Sequence, residues 1–302
     1  MNLSADKKRL VFLGTILTAV AVLLIIIIVM AVQNGGSGRS AGGGESGVEN
    51  NVPENLLRIN DMYQGDRTIP KYDIPVNNYE TDKFLKASSN GKIFYGEAAV
   101  GIDVSDHQQE IDWVKVKESG IDYAIIRLGY RGFTEGGLIA DSRFIANITG
   151  ALENGIEVGV YFFSQATSEE EAVEEAAYVL EQVGNYNLTY PIYYDWEPIT
   201  EHDEAAVPRT QSCTGKDVTA FTVAFCEEIK KAGFYPGYYT NKTMGYDFYN
   251  LEELQEYDIW YAEYQDVPSF YYNFEMWQYS ESGVISGIPV EVDLNLSLKT
   301  YK

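Results

Sequence analysis

Two acidic residues that stand one residue apart, Asp195 and Glu197, carry the strongest chemical signal in this sequence. The residues just before them are mostly aromatic or β-branched, which favours a strand, and Pro198 ends the pairing. Because side chains two apart on a strand point the same way, both carboxylates emerge on one face, about 6–7 Å apart. Each charge makes the other carboxyl harder to ionise, so one proton tends to be retained near neutral pH. Such a pair suits acid–base chemistry, although a bare Asp-x-Glu pattern also occurs by chance.

The composition limits the classes of partner. The chain has 302 residues with 45 acidic and 22 basic side chains, for a formal net charge of −23. This excess argues against nucleic acid, because phosphate binding needs clustered Lys and Arg. The 24 Tyr exceed what a core needs, and such side chains line sugar-binding grooves or fill half-buried strands.

The few histidines and cysteines favour neither a metal site nor a crosslink. With two His and two Cys in all, we expect no zinc site. A helix after Thr214 would hold Cys213 and Cys226 about 20 Å apart, too far for a disulfide. Only an irregular start to that helix would bring the two thiols together.

The N-terminal region predicts a membrane anchor. Residues 10–32 are almost wholly apolar, which is long enough for the ~20 residues that span a bilayer. Basic residues at positions 7–9 precede the span, so the positive-inside rule leaves residues 1–9 in the cytoplasm and the rest of the chain outside. A cleaved signal peptide and secretion are the alternative, but the apolar region of a signal peptide is usually shorter.

Two further segments separate this span from the main domain. Residues 33–50 are rich in Gly and Ser and predict a flexible linker. In residues 51–97 apolar side chains are spread between three prolines, which predicts an extended segment that packs on the next domain. A partly ordered stalk is the alternative. Residues 98–302 then form one domain of ordinary size.

This domain alternates strand-like and helix-like segments. The predicted strands are Val100–Ser105, Tyr123–Gly129, Val158–Ser164, Tyr190–Glu197, Phe234–Thr240, Ile259–Tyr264, Glu275–Tyr279 and Val290–Asn295. The predicted helices are Asp112–Ser119, Asp141–Asn154, Ser168–Val183 and Lys216–Ala232. The alternation predicts an α/β fold with a parallel sheet, and eight strands suggest closure into a barrel. Because helices run out in the second half, we expect the last strands to connect by hairpins or short loops.

In such barrels activity sits at the carboxyl ends of the strands. Four acidic residues fall near strand ends, namely Asp103, Asp195, Glu197 and Asp293. Four inward carboxylates at one mouth would be costly as mere structure. Their convergence favours catalysis by Asp195 and Glu197.

An ordered set of motifs resembles glycoside hydrolase family 25, the Chalaropsis-type muramidases or lysozymes. The set opens with Gly101-Ile102-Asp103-Val104-Ser105 and covers roughly residues 100–298. It continues in order through Ile125-Ile126-Arg127, Val158-Gly159-Val160-Tyr161, Asp195-Trp196-Glu197, Tyr239-Thr240, Trp260-Tyr261-Ala262-Glu263-Tyr264, Trp277-Gln278-Tyr279 and Val292-Asp293-Leu294-Asn295. The resemblance implies an irregular TIM-like β/α barrel with fewer helices than strands.

This sequence departs from the family pattern at a few positions. Gln109 stands where the family usually has Gly, Trp196 replaces an aliphatic residue, and Glu263 replaces a frequent His. None of these changes removes a carboxylate.

The resemblance implies hydrolysis of the β-1,4 bond between N-acetylmuramic acid and N-acetylglucosamine in peptidoglycan, with no metal or other cofactor. Glu197 would be the general acid and then the base for water. Asp195 would steer the 2-acetamido group, whose carbonyl attacks the anomeric carbon in a substrate-assisted route. Asp103 and Asp293 would hold the sugar or tune the pKa of the pair.

Other side chains near strand ends have two interpretations. Aromatic residues there either stack on sugars or fill the barrel: Tyr161, Phe163, Tyr239, Trp260 and Trp277. Arg127 either binds substrate or neutralises the inward carboxylates, and we favour the second role.

Two other functions fit parts of the pattern. Chitinase-like barrels also end a strand in Asp-x-Glu, but they carry further Asp residues upstream, and none lies between residues 188 and 194. An anchored, non-catalytic wall-binding protein would not need the full set of carboxylates. We therefore expect a single-pass membrane protein that acts on peptidoglycan strands outside the cytoplasm. The sequence points to no particular protein partner.

Overall fold

The computed structural model describes residues 52–88, 91–199 and 206–301. The predicted cytoplasmic stretch, anchor and linker, residues 1–9, 10–32 and 33–50, lie outside the described residues. Within the described ranges no helix is long and apolar enough to cross a bilayer.

The secondary structure follows the alternation read from the sequence. In chain order the strands are Leu56–Asp61 (β1), Gly65–Pro70 (β2), Leu85–Lys86 (β3), Ile93–Phe94 (β4), Ala99–Val104 (β5), Tyr123–Arg131 (β6), Leu138–Ala140 (β7), Glu157–Ser164 (β8), Ile192–Trp196 (β9), Pro236–Asn241 (β10), Asp258–Ala262 (β11), Met276–Gly283 (β12) and Val292–Ser297 (β13). The α-helices are Trp113–Glu118 (α1), Phe144–Glu153 (α2), Glu169–Val183 (α3) and Gly215–Lys231 (α4). All eight predicted barrel strands and all four predicted helices form, with ends shifted by a few residues.

Eight strands close into a barrel. Their order around it is β5, β6, β8, β9, β10, β11, β12 and β13, and β5 pairs with both β6 and β13. Seven strands run parallel, whereas β13 is antiparallel to both of its neighbours. The expected hairpin is therefore confirmed for the last two strands, β12 and β13. Longer loops connect β10 to β11 and β11 to β12. Because β13 runs the opposite way, its first residues lie at the same mouth as the last residues of the other strands.

The inner face of the barrel is set by the period-2 alternation of its strands. On β5, Ile102 and Val104 pack outward into the main core, so Gly101 and Asp103 face inward. A methyl group on Gly101 would lie 2.2 Å from Cζ of Tyr123, so this ring fills the inside of the barrel only because Gly101 has no side chain. A second apolar cluster that includes Tyr193 and Trp260 occupies the interior.

The described part of residues 52–97 covers the outside of the barrel where α-helices are missing. It forms two antiparallel hairpins, β1–β2 and β3–β4. The Tyr79 hydroxyl donates to the Phe274 carbonyl at 2.7 Å, and the Phe84 ring packs edge-on against Trp277 with ring centroids 5.4 Å apart. Ile69 and Ile93 are also buried in the main core. This segment thus takes the place that helices occupy elsewhere on the barrel.

One loop at the mouth carries an unusual backbone. Gln109, at the end of a 3-10 turn Asp106–Gln108, has φ of 62°, and it is the only non-glycine residue with positive φ among the described residues. That left-handed region favours glycine. A glycine at position 109 would therefore fit this backbone with less strain than Gln109 does.

The two cysteines are free thiols, Cys213 just before α4 and Cys226 buried within it.

Candidate active site

Four carboxyl groups line one cavity at the mouth of the barrel, as the strand-end positions predict. Asp195 lies near the end of β9, and Glu197 follows that strand directly. Asp103 lies near the end of β5, and Asp293 stands opposite it in the antiparallel register of β13. Asp103 and Asp195 are buried, with 5% and 6% of their surface exposed.

Asp103 and Asp293 form a hydrogen-bonded acid pair. Asp103 Oδ2 accepts from Nε2 of Gln278 at 2.9 Å and from Nδ2 of Asn295 at 2.7 Å. Burial raises the pKa of Asp103 to about 6, against the lowering effect of these amide donors. Burial and the charge of Asp103 raise the pKa of Asp293 to about 9. Asp293 therefore stays protonated near neutral pH, and its O–H group donates a hydrogen bond to Asp103.

Asp195 and Glu197 also hold protons above the usual range. Burial, then the charges of Glu197 and Asp103, raise the pKa of Asp195 well above its ordinary value. Burial of the carboxyl group, with a further contribution from Asp103, raises the pKa of Glu197 to about 7. Asp195 Oδ1 is buried and has no hydrogen-bond partner among the residues that the structure describes. A buried carboxylate oxygen without a donor is costly, so this atom is suited to a donor that a ligand brings.

Arg127 is the guanidinium at this mouth, and two other acids hold it. Its Nε donates to Asp141 Oδ2 at 2.7 Å and its NH2 group donates to Asp106 Oδ1 at 2.5 Å. Arg127 still lowers the pKa of Asp195, but this effect is smaller than those of burial and of the two neighbouring acids. Its main ion pairs therefore fix the rim and offset the charge of the central carboxyls only partly.

The cavity has a volume of about 380 Å³, within the range of about 300–1,000 Å³ usual for small-ligand sites. Its lining contains every predicted site residue except Trp277: Asp103, Arg127, Tyr161, Phe163, Asp195, Glu197, Tyr239, Trp260 and Asp293. His107, Tyr264 and Gln278 complete the lining and were not predicted as site residues. Trp260 lies beneath it as a largely buried floor, since its Nε1 donates to Asn295 Oδ1 at 2.8 Å and its ring packs edge-on against Tyr161 and Tyr239.

Trp277 lies elsewhere, and a sugar-stacking role does not fit its position. It is fully buried on the outer face of β12, against Phe84, and its Nε1 donates to the Glu263 carbonyl at 2.9 Å. The next residue, Gln278, faces the cavity instead. Alternation along the strand puts these neighbours on opposite faces, and the aromatic residue was the wrong choice.

Sequence reasoning also missed several polar residues of the site. Gln278 and Asn295 lie within the quoted motifs, and their inward positions follow from the registers of β12 and β13. The hydroxyls of Tyr239 and Tyr264 both donate to Gln278 Oε1, at 3.2 and 3.1 Å. This ordered amide is thereby held toward Asp103.

The arrangement provides proton transfer and hydrogen bonding. Among the residues that the structure describes, no group of three or more His, Cys, Asp or Glu side chains is placed to hold a metal ion. The cavity offers instead a partly protonated acid, an unpartnered carboxylate oxygen and aromatic walls, which together suit a sugar with an N–H group.

Known proteins similar to this chain include two lysozymes. The family model "Glycosyl hydrolases family 25" matches residues 102–288. Lysozyme M1 of Streptomyces globisporus is 28% identical over 214 residues, which are 65% of this chain and 66% of that protein. The autolytic lysozyme of Clostridium acetobutylicum is 26% identical over 196 residues, 65% of this chain and 54% of that protein. This chain thus spans about half to two thirds of the length of these curated relatives.

Among solved structures, the fold is similar to that of the modular autolysin LytC from Streptococcus pneumoniae in complex with a synthetic peptidoglycan ligand. The TM-score is 0.57 and the identity 25%, over 81% of this chain and 57% of that one.

The raised pKa of Asp293 predicts how the stability of the fold depends on pH. Its pKa rises from 3.8 to about 9 on folding, so its contribution to stability is full below pH 3.8 and is lost as pH rises toward 9. Asp293→Asn cannot ionise and keeps a donor for Asp103. We expect this variant to unfold at a higher temperature than the wild type at pH 8, with little difference at pH 4. Asp73→Asn, at an exposed position, is the control. An equal gain at both pH values would contradict the assignment of the proton.

Proposed function

We propose that this chain, which belongs to glycosyl hydrolase family 25, cleaves the β-1,4 bond between N-acetylmuramic acid and N-acetylglucosamine in peptidoglycan. One observation carries the proposal: Asp195 and Glu197 share a cavity with Asp103 and Asp293, in which burial raises the pKa values of all four carboxyls. The lysozymes among its relatives support a glycosidase that acts on cell walls.

Glu197 serves as the general acid. Its pKa of about 7 leaves a large fraction protonated near neutral pH, so it has a proton to give to the leaving oxygen. Once it has given the proton, the same carboxylate takes one from the attacking water. A pKa close to the working pH serves both steps.

Asp195 positions the acetamido group of the sugar that is attacked. Its unpartnered Oδ1 accepts the N–H of that group, and a hydrogen bond to the charged form lowers the pKa of a carboxyl. Because the charges of Asp195 and Glu197 oppose one another, ionising Asp195 raises the proton affinity of Glu197. Substrate binding therefore favours the state in which Asp195 is ionised and Glu197, the general acid, carries the proton. The acetamido carbonyl then attacks the anomeric carbon, and the later attack of water restores the original configuration.

Asp103 and Asp293 tune this pair. The charge of Asp103 contributes to the raised pKa values of both Asp195 and Glu197. Because Asp293 holds its own proton near neutral pH, Asp103 remains the charged member of the acid pair.

The first test removes the acid. Glu197→Gln keeps the size of the side chain but has no proton to transfer, so we expect the rate of glycan cleavage to fall by about 10²–10⁴-fold. Clearing of purified cell walls in a gel measures it, with Glu153→Gln, an exposed residue of α2, as the matched control. In the wild type the rate should decline as pH rises through about 7, where Glu197 loses its proton. Near-normal clearing by Glu197→Gln would reject this assignment, and wall binding without clearing by the wild type would favour a binding module.

The second test concerns the acetamido group. Asp195→Asn keeps the shape of the side chain but cannot carry the negative charge that stabilises the positive charge developing on the sugar in the transition state. We therefore expect a loss of about 10²–10³-fold in kcat. The fold should remain at least as stable, because a buried ionisable group is removed. Early NMR spectra of the wild-type product should show the β-anomer first, since two displacements at one carbon retain configuration. The α-anomer first would exclude the substrate-assisted route.

We also propose that residues 10–32 anchor the enzyme in the cell membrane, with its cavity outside, where it remodels the cell's own wall. The apolar composition of residues 10–32 and the basic residues before them support this location. After cell fractionation, the full chain should sediment with membranes, resist extraction by salt and dissolve in detergent. Recovery of the mature protein free in the medium would indicate a cleaved signal peptide instead.

A further inference from the structure

A second cavity adjoins the carboxylate cavity at Glu197. Its volume is about 570 Å³, and the two cavities share Glu197, Tyr239 and Tyr264 in their walls. Glu197 therefore lies where the two cavities meet, and we call these two adjacent cavities the groove. The second cavity contains none of the other three carboxyls of the active site among its lining residues.

Part of the wall of the second cavity comes from the N-terminal segment. Tyr63 and Gln64, in the turn between β1 and β2, line it. Both residues lie outside residues 102–288, which the family model matches. Tyr63 is 42% exposed, so its ring offers an open face at the groove.

The turn is fixed in place by a buried ion-pair network. Asp61 Oδ1 accepts from the backbone N–H groups of Tyr63 and Gln64, each at 2.9 Å, which sets the shape of the turn. Asp61 Oδ2 pairs with Nζ of Lys242 at 2.6 Å, and Lys242 also pairs with Glu263 at 2.7 Å. The Asp61 side chain is fully buried and that of Lys242 is 9% exposed. Breaking one partner out of such a buried network is costly, so the turn is held rigidly against the barrel.

The Tyr63 ring is held from a second side. Its hydroxyl donates to the Val267 carbonyl at 2.9 Å, and its centroid lies 5.6 Å from Lys242 Nζ. A rigid aromatic ring can bind a sugar face with little loss of side-chain entropy.

The chemistry of the cavity suits an uncharged amino sugar. Its walls combine tyrosine rings with the amide side chains of Gln64, Asn241 and Gln265. The single ammonium group of Lys242 is already paired with Asp61 and Glu263, so it is not available to bind an anion. Aromatic faces and amides are the groups that contact the pyranose ring and the N-acetyl group of N-acetylglucosamine.

We infer that the β1–β2 turn forms the subsite for the sugar that leaves, with Tyr63 against its ring and Gln64 beside its polar groups. This inference rests on the proposed function. Glu197 protonates the oxygen between two sugars, so one sugar lies on each side of it. The sugar whose acetamido group meets Asp195 occupies the carboxylate cavity, which leaves the second cavity for the leaving N-acetylglucosamine.

The test measures binding in a chain that cannot cleave. In the Glu197→Gln background, a tetrasaccharide of two N-acetylglucosamine–N-acetylmuramic acid units spans both cavities. We expect Tyr63→Ala to raise its Kd about tenfold and Gln64→Ala to raise it several-fold, because each removes a contact with the leaving sugar. Tyr63→Phe keeps the ring and should stay close to the parent. Met62→Ala is the matched control, since Met62 lies in the same turn, is 56% exposed and does not line the cavity.

Activity separates a subsite from a structural role. With Glu197 intact, Tyr63→Ala and Gln64→Ala should lower kcat/KM on glycan strands, while the decline of the rate near pH 7 stays in place. A shifted decline, or an equal loss for Met62→Ala, would mean that the turn only supports the fold and would overturn the subsite. If the wild type cleaves glycan but Tyr63→Ala leaves the tetrasaccharide Kd unchanged in the Glu197→Gln background, the subsite alone is overturned. If Tyr63→Ala raises that Kd but the wild type cleaves no glycan, the proposed hydrolysis is overturned and the binding site remains.

Discussion

The removal of four carboxyl groups from water at one barrel mouth is the constraint on which the rest of this site depends. Four carboxyl groups can share such a cavity only if nearby positive charges neutralise them or if some of them stay protonated. Arg127, the guanidinium among the lining residues, is held by Asp106 and Asp141. Burial in the cavity and the charge of Asp103 therefore raise the pKa of Glu197 to about 7, so this acid keeps a proton near neutral pH. The property that makes the site expensive to fold is the property that lets Glu197 act as an acid.

The fold supplies this constraint through one irregularity and one addition. The irregularity is the antiparallel strand β13, which brings Asp293 opposite Asp103 at the mouth. The addition is the N-terminal segment, which packs Phe84 over Trp277 where an outer helix is missing and carries the β1–β2 turn to the groove. A single extension thus protects the outer face of the barrel and shapes the space next to the acid.

Much of the barrel and the central acids could be predicted from the sequence, because period-2 alternation and strand ends are local signals. Asp103, Asp195, Glu197 and Asp293 all lie in the cavity for that reason. The failures involve information that lies between distant segments. Identifying Gln278 rather than Trp277 as the cavity residue required the direction of the β12 side chains relative to the barrel. No local pattern reveals that Asp141 pairs with Arg127 or that Tyr63 reaches the groove.

The most direct test of this account is a titration of the Glu197 side chain by ¹³C NMR, in protein labelled at the glutamate carboxyls and assigned by comparison with Glu197→Gln. We expect its midpoint near pH 7 in the free enzyme, and a lower midpoint in Asp103→Asn, because the charge of Asp103 contributes to the shift. A midpoint near the ordinary value of 4.5, unchanged by Asp103→Asn, would show that burial and shared charge do not hold the proton on Glu197. That result would contradict the account.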